Sequence, residues 1–94
     1  MSYKIIWDKK ASDFLKRLEK SDTQRILKKV SSITDDPAHY LEPLVGISSY
    51  KLRVGDYRLL VDIDKGRLLL TIIFIGHRKD IYQYVTRTGL RVKT

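Results

Sequence analysis

The spacing of apolar residues predicts two helices in the first half of the chain. Ser2–Asp8 is rich in aromatic and β-branched residues and predicts a first strand. Asp8 can then cap a helix whose apolar residues recur on one helical face, at Ala11, Phe14, Leu15 and Leu18. Ser21 and Gln24 match a capping box, which predicts the start of a second helix. This helix should end before Pro37, because the residue before a proline avoids the helical region. The two helices would form a helical hairpin.

In the second half of the chain, apolar residues no longer recur with the period of a helix and instead alternate as in a strand. Ala38–Ile47 has no clear period and contains proline and glycine, so it predicts a loop. Apolar and polar residues then alternate in Ser48–Val54 and in Tyr57–Ile63, which predicts two strands. Gly55 and Asp56 stand between these strands and are typical of a tight hairpin turn.

The last third of the chain predicts an inner strand and a short helix. Asp64–Gly66 reads as a turn, and Arg67–Ile75 is apolar on both faces, as in a strand covered on both sides. Asp80 can cap a helix in the segment DIYQYV. The order of elements predicts a single α+β domain over residues 1–94, with an antiparallel sheet and the helical hairpin on one face.

Composition narrows the class of partner. The chain has 94 residues and a formal net charge of +8, from 19 Lys and Arg against 11 Asp and Glu. Such an excess favours polyanions, so we expect nucleic acid or an acidic protein as partner. There is no cysteine, and no segment resembles a signal peptide or a membrane span. We therefore expect a soluble, cytoplasmic protein that does not bind membranes.

Three cations should share the face of the sheet that the helices leave free. Lys51 and Arg53 lie on one side of their strand because side chains alternate, and the short turn brings Arg58 beside them. Such a cluster is often only the solvated face of a sheet. No glutamate is interleaved in these strands, however, and arginine matches the geometry of phosphate oxygens. The pattern favours a site for phosphate groups.

The segment GHRKDIYQY adds further candidates at the end of the inner strand. We expect Gly76 to release the backbone into a turn. Arg78 should then project near the three cations, followed by Lys79. His77 could serve as a general acid or base, although a histidine in a turn is more often a hydrogen-bonded structural residue.

Two tyrosines close the same segment. Tyr82 and Tyr84 could stack on a nucleobase, but positions i and i+2 do not share a helical face, so we expect one of them to pack on the core instead. The chain lacks phosphate-binding glycine motifs, metalloprotease motifs and a carboxylate cluster for a metal, so no cofactor or metal is expected. If the protein is an enzyme, it should work without metal, by a reaction such as RNA cleavage by the substrate's own 2′-OH, in which the protein stabilises charge.

Two motifs in this order resemble the RelE toxins of type II toxin–antitoxin systems: YKLRVGDYRLLVDID and IGHRKDIYQY. The resemblance implies a ribosome-dependent mRNA endonuclease that cleaves the A-site codon by 2′-OH attack without metal. It implies that Arg58 stabilises the transition-state phosphate and that Arg78 acts at the leaving 5′-oxygen. Lys51 and Arg53 would bind phosphate and support proton transfer, while Tyr82 would stack on the substrate or orient it.

The resemblance also implies an acidic, RelB-like antitoxin as partner, besides the ribosome and mRNA. Two alternatives remain open on the same scaffold: a ParE-like toxin that inhibits DNA gyrase, and an inactive module that binds nucleic acid. The joint presence of Arg58, Arg78 and a nearby tyrosine favours cleavage, because RNA cleavage needs this cluster and gyrase binding does not.

Overall fold

A computed structural model describes residues 2–44, 48–81 and 83. A further helix begins at Asp80 and includes Ile81 and Gln83, in agreement with the predicted C-terminal helix. The other elements, in chain order, are β1 (Lys4–Trp7), α1 (Lys9–Arg17), α2 (Lys20–Ser32), α3 (Pro37–Tyr40), β2 (Glu42–Pro43), β3 (Tyr50–Val54), β4 (Tyr57–Asp64) and β5 (Leu69–His77).

The five strands form one sheet in the order β1-β5-β4-β3-β2. Neighbouring strands from β2 to β5 are antiparallel, whereas β1 pairs with β5 in parallel. The predicted α+β class is confirmed, but the sheet is mixed rather than wholly antiparallel. The reason is the long excursion of the chain between β1 and β5, which includes the helical hairpin and lets β1 run in the same direction as β5.

The helical hairpin forms as predicted, but the predicted capping box does not. The α2 helix begins at Lys20, and its first turn is closed by the Thr23 N–H, which donates to the Glu19 carbonyl at 3.0 Å. Ser21 is therefore already inside the helix. The hydroxyl of Thr23 instead donates to the Leu15 carbonyl at 2.9 Å, which ties α2 to the end of α1.

The segment predicted as a loop contains two short elements. Pro37 begins α3, where a proline is favoured because the first helical N–H needs no partner. Pro43 lies in the edge strand β2, where the missing N–H is also tolerated, and Glu42 pairs with Lys51 of β3. Residues 45–47 lie outside the described ranges.

The core lies between the helices and one face of the sheet, and a smaller cluster covers part of the other face. As predicted, the inner strand β5 contributes to both: Leu70 and Ile72 to the main core, Ile73 and Phe74 to the smaller cluster. The fully buried members of the main core are Ala11, Ile26, Val30, Ile33, Leu52, Leu59, Val61, Leu70, Ile72 and Ile75. The smaller cluster is built around Leu60 and Ile81, so the C-terminal helix packs on the face opposite the hairpin.

Candidate functional site

Five cationic side chains line an open pocket of about 570 Å³ on the face of the sheet opposite the helical hairpin. Arg53 on β3 and Arg58 on β4 are direct cross-strand partners, and Lys51 lies two residues before Arg53 on the same side. The turn after β5 supplies the other two, Arg78 and Lys79. We call these five residues the cationic pocket. The structure thus brings together most of the residues that the sequence predicts for a phosphate site.

Arg58 is the buried member of the cationic pocket, with only 7% of its surface exposed. Its Nη1 donates to the carbonyl oxygens of Gly55 at 2.8 Å and Tyr57 at 2.9 Å. Gly55 has a φ of 57°, as the first position of a type II′ hairpin turn requires. Among the described residues, no carboxylate forms an ion pair with Arg58. The turn therefore fixes the guanidinium through neutral partners and leaves its charge uncompensated, which is the arrangement that an anion would stabilise.

An irregularity in β5 aligns Gly76 with Arg58. The pairing shifts between Leu60 and Val61, since Leu60 pairs with Phe74 but Val61 pairs with Ile72. This bulge reverses the alternation of side chains along the rest of β5, as such irregularities often do near functional sites. As a result Gly76 lies opposite Arg58 and faces the cationic pocket.

Gly76 does not make the turn that the sequence suggested. It is a strand residue, and β5 continues to His77. A Cβ at this position would lie 2.8 Å from Cε2 of the Phe74 ring and 3.1 Å from Cβ of Asp80. The glycine is therefore required for close packing, not for backbone freedom. The chain turns one residue after His77, at Arg78, whose backbone N–H donates to the Asp56 carbonyl at 3.2 Å.

His77 lies on the other side of the sheet from the cationic pocket. Its ring stacks on Tyr57, its cross-strand partner, with centroids 5.0 Å apart and planes 28° apart. The Tyr57 hydroxyl donates to Asp22 of α2 at 3.2 Å. Burial raises the pKa of Tyr57, and the negative charge of Asp22 and this hydrogen bond raise it further. The structure thus places His77 in a packed aromatic contact, in keeping with a structural histidine.

Glu42 is the residue near the pocket that sequence reasoning missed. Its carboxylate lies 3.7 Å from the Lys51 Nζ and 4.0 Å from the Arg53 Nη1. No glutamate lies in β3 or β4, as the sequence shows, but β2 places one beside two of the cations. Glu42 lies in a segment predicted as a loop, and the pairing of β2 with β3 is what brings it beside Lys51.

The two predicted tyrosines, Tyr82 and Tyr84, lie outside the described residues. Within residues 2–44, 48–81 and 83, no group of three or more His, Cys, Asp or Glu side chains is arranged to hold a metal ion. In the same ranges, no helix has the length and apolar character needed to cross a membrane.

The family model for the ParE toxin of type II toxin–antitoxin systems matches residues 5–82. The chain belongs to this toxin family. The match extends from β1 into the C-terminal helix and includes all five residues of the cationic pocket. The toxin is therefore a component of a type II toxin–antitoxin system, as the resemblance in the sequence implied.

Solved structures of RelE toxins share the fold of this ParE-family toxin. The RelBE2 toxin–antitoxin complex from Mycobacterium tuberculosis matches with a TM-score of 0.77 at 22% identity, over 83% of this chain and 100% of that chain. A mutant of the E. coli toxin RelE in the free state matches with a TM-score of 0.75 at 22% identity, over 94% of this chain and 98% of that chain.

An archaeal RelE–RelB complex from Pyrococcus horikoshii matches with a TM-score of 0.73 at 22% identity, over 83% of this chain and 97% of that chain. No curated protein sequence matches the toxin. At these identities the structural likeness establishes the RelE fold and leaves the activity to be argued from the cationic pocket.

Proposed function

We propose that this toxin is a metal-independent endoribonuclease that cleaves mRNA in the ribosomal A site and so inhibits translation. The observation that carries the proposal is the buried, uncompensated guanidinium of Arg58 inside a pocket with four other cations. A buried charge without a counter-ion is costly, so a protein keeps it where an anion binds. Preorganised donors of this kind are an effective means of stabilising the charge of a transition state.

The cationic pocket suits cleavage in which the substrate supplies its own nucleophile. The 2′-hydroxyl loses its proton as its oxygen attacks the adjacent phosphorus, and the bond to the 5′-oxygen breaks. The 5′-oxygen takes up a proton from water, so the products carry a 2′,3′-cyclic phosphate and a 5′-hydroxyl. Negative charge grows on the non-bridging oxygens, to which Arg58 would donate hydrogen bonds. It also grows on the leaving oxygen, to which Arg78 would donate hydrogen bonds. Lys51 would bind the phosphate and support proton transfer from the 2′-hydroxyl. Arg53 would bind a neighbouring phosphate.

The remaining predicted residues have supporting roles in this proposal. Lys79 lines the cationic pocket and would bind phosphate. Tyr82 would stack on the substrate base, and Tyr84 is the second candidate for that contact. His77 would act through its contact with Tyr57 and not on the phosphate.

The proposed partners are the ribosome, mRNA and an acidic, RelB-like antitoxin, in the cytoplasm. Several structures with the same fold are complexes of a RelE toxin with a RelB antitoxin, which supports an antitoxin partner for this chain. An acidic antitoxin would complement the net charge of +8.

A reconstituted translation reaction tests the proposed activity. Purified toxin is added, and the ends of the mRNA are mapped by primer extension. We expect cuts within codons that require the ribosome and that leave a 2′,3′-cyclic phosphate on the upstream fragment, the signature of attack by the 2′-oxygen. Arg58→Ala should lower the cleavage rate by about 10² to 10³, the usual cost of losing one transition-state donor. An Arg58→Ala variant that cleaves at the normal rate would overturn the assignment.

The alternative function is inhibition of DNA gyrase, and the match to the ParE family model favours it. Such a toxin would bind gyrase without cutting RNA, and the cations would contact an acidic surface of the enzyme. A supercoiling assay run beside the translation reaction separates the two functions. Intact mRNA together with loss of supercoiling would favour gyrase inhibition. If both mRNA and supercoiling are unaffected, the result favours the third alternative, an inactive module, and its binding to nucleic acid is then measured directly.

A further inference from the structure

We infer that Tyr57 positions both arginines of the proposed active site, Arg58 and Arg78, and that Asp22 of α2 holds Tyr57 in place. The inference deepens the proposed function and rests on it for its catalytic consequence. Tyr57 does not line the cationic pocket, and its ring faces away from it. Its effect on the reaction would therefore be indirect, through the backbone that carries the two arginines.

The Tyr57 side chain is fixed by three groups from three elements. Its hydroxyl donates to Asp22 of α2 at 3.2 Å. Its ring stacks on His77 of β5 and meets the edge of the Phe14 ring of α1, with centroids 6.1 Å apart and planes 77° apart. The residue thus ties the end of the β3–β4 hairpin to both helices and to β5.

The backbone of Tyr57 helps to hold the guanidinium of Arg58 in place. The Tyr57 carbonyl accepts one of the two hydrogen bonds from the Arg58 Nη1, and the Gly55 carbonyl accepts the other. These carbonyls define where the buried guanidinium lies. A shift of the hairpin end would therefore move the guanidinium relative to a bound phosphate.

Arg78 depends on the same hairpin end through two links. It directly follows His77, whose ring stacks on Tyr57. Its backbone N–H donates to the carbonyl of Asp56, the residue before Tyr57. Both arginines are thus hydrogen-bonded to carbonyls of the same hairpin end, and the Tyr57 side chain anchors that end to the helical layer. Because a misplacement of about 1 Å can cost about 10² in rate, this anchor matters for catalysis.

Tyr57→Phe is the central variant, since it keeps the ring and removes only the hydrogen bond to Asp22. We expect amide hydrogen exchange at Arg78 to become about tenfold faster, because local opening of the turn becomes easier. We expect kcat to fall roughly tenfold while KM for the programmed ribosome changes less than about twofold. Tyr40→Phe, an exposed tyrosine far from the hairpin in sequence, is the matched control and should change neither quantity.

Variants of Asp22 separate anchoring from general packing. Asp22→Asn keeps an oxygen that can accept from the Tyr57 hydroxyl, whereas Asp22→Ala does not. We expect Asp22→Asn to retain most of the cleavage rate. We expect Asp22→Ala to lower the cleavage rate as much as Tyr57→Phe does. A double-mutant cycle gives the sharpest test: if Tyr57 acts through Arg78, the effect of Tyr57→Phe should shrink in the Arg78→Ala background. Undiminished effects in that background and in the Arg58→Ala background would overturn the inference.

The exchange measurement distinguishes failure of the inference from failure of the proposed function. It is made on the free toxin and needs no activity. If the wild-type toxin does not cleave mRNA but Arg78 exchange still accelerates in Tyr57→Phe, the proposed function fails and the anchoring role is supported. If Arg78 exchange is unchanged while the toxin cleaves normally, the inference fails and the proposed function stands.

Discussion

Arg58 on β4 lies directly opposite Gly76 on β5, so the buried arginine has a cross-strand neighbour without a side chain. The Phe74 ring occupies the space that a Cβ at Gly76 would need. The same glycine therefore admits the aromatic ring of the smaller cluster on the side of β5 that faces Arg58. The packing of the Phe74 ring beside Arg58 therefore depends on the absence of a side chain at Gly76.

Gly76→Ala should be destabilising because the added methyl group would meet the Phe74 ring at 2.8 Å. Overpacking of this kind costs about 1 to 3 kcal/mol of unfolding free energy, which urea denaturation would measure. Gly66→Ala is the matched control, since its Cβ would meet only the Asp64 Oδ1 at 3.5 Å. Equal stability of the two variants would show that the Phe74 ring moves aside without cost.

The elements with a strong local signal could be predicted from the sequence. The two helices, the Gly55 turn and the inner strand β5 each follow from periodicity or from a residue with a special backbone role. The parallel pairing of β1 and the short strand β2 could not be predicted, because both depend on contacts distant in sequence. Glu42 has no apolar period around it, and only its partner Lys51 makes it part of a strand.

The part of the cationic pocket that depends on local patterns could also be predicted from the sequence. Alternation along β3 and the tight turn place Lys51, Arg53 and Arg58 together. The burial of Arg58 was not predictable, since it depends on the carbonyls of its own turn. The side on which His77 lies depends on the bulge in β5, and no local residue pattern marks that bulge.

Glu42→Gln should increase the affinity of the toxin for RNA. The Glu42 carboxylate lies near Lys51 and Arg53 and competes with phosphate for them. An exposed ion pair is worth about 0.2 to 1 kcal/mol, so the dissociation constant for a short single-stranded RNA should fall about 1.5- to 5-fold. Fluorescence anisotropy at low salt would measure it. Asp13→Asn makes the same change in net charge on α1, where Asp13 pairs with Lys9, and should have a smaller effect. Equal effects would indicate that only net charge matters.

The stability of the toxin should fall as the pH rises above about 10, in part because of Tyr57. Its pKa is raised above the ordinary value of 10.0 by burial and by Asp22, Asp56 and Glu19, so the folded state holds the proton more tightly. A raised pKa stabilises the fold below the unfolded pKa, and that contribution is lost as the pH rises towards the folded pKa.

Tyr57→Phe checks this pH dependence because the variant cannot ionise at that position. The difference in unfolding free energy between wild type and variant should be constant below about pH 9 and should change in favour of the variant above about pH 10. Urea denaturation across this range measures the difference, in which the other tyrosines and lysines cancel. A difference that stays constant through pH 11 would contradict the pKa shift. The Tyr40→Phe variant keeps the contact between Tyr57 and Asp22, so its stability should fall with rising pH as that of the wild type does.

Arg58→Lys separates the charge of Arg58 from its geometry. Lysine keeps the positive charge, but its ammonium is a compact point charge and cannot reproduce the planar guanidinium held by the Gly55 and Tyr57 carbonyls. We expect RNA affinity to change less than about threefold, since phosphate binding depends mainly on charge. We expect single-turnover cleavage on programmed ribosomes to fall about 10² in rate, because the transition state needs a donor at a fixed position.

Arg53→Lys is the matched control for that variant, because Arg53 is the cross-strand partner of Arg58 on the same face but has an exposed side chain. An exposed lysine can adjust its position to a phosphate, so the cleavage rate should fall less than about fivefold. If both lysine variants lost the same factor, the burial of Arg58 would have no special catalytic value. If both retained full activity, charge alone would account for the cationic pocket. A large loss confined to Arg58→Lys would instead assign catalysis to the guanidinium that the hairpin turn holds in place.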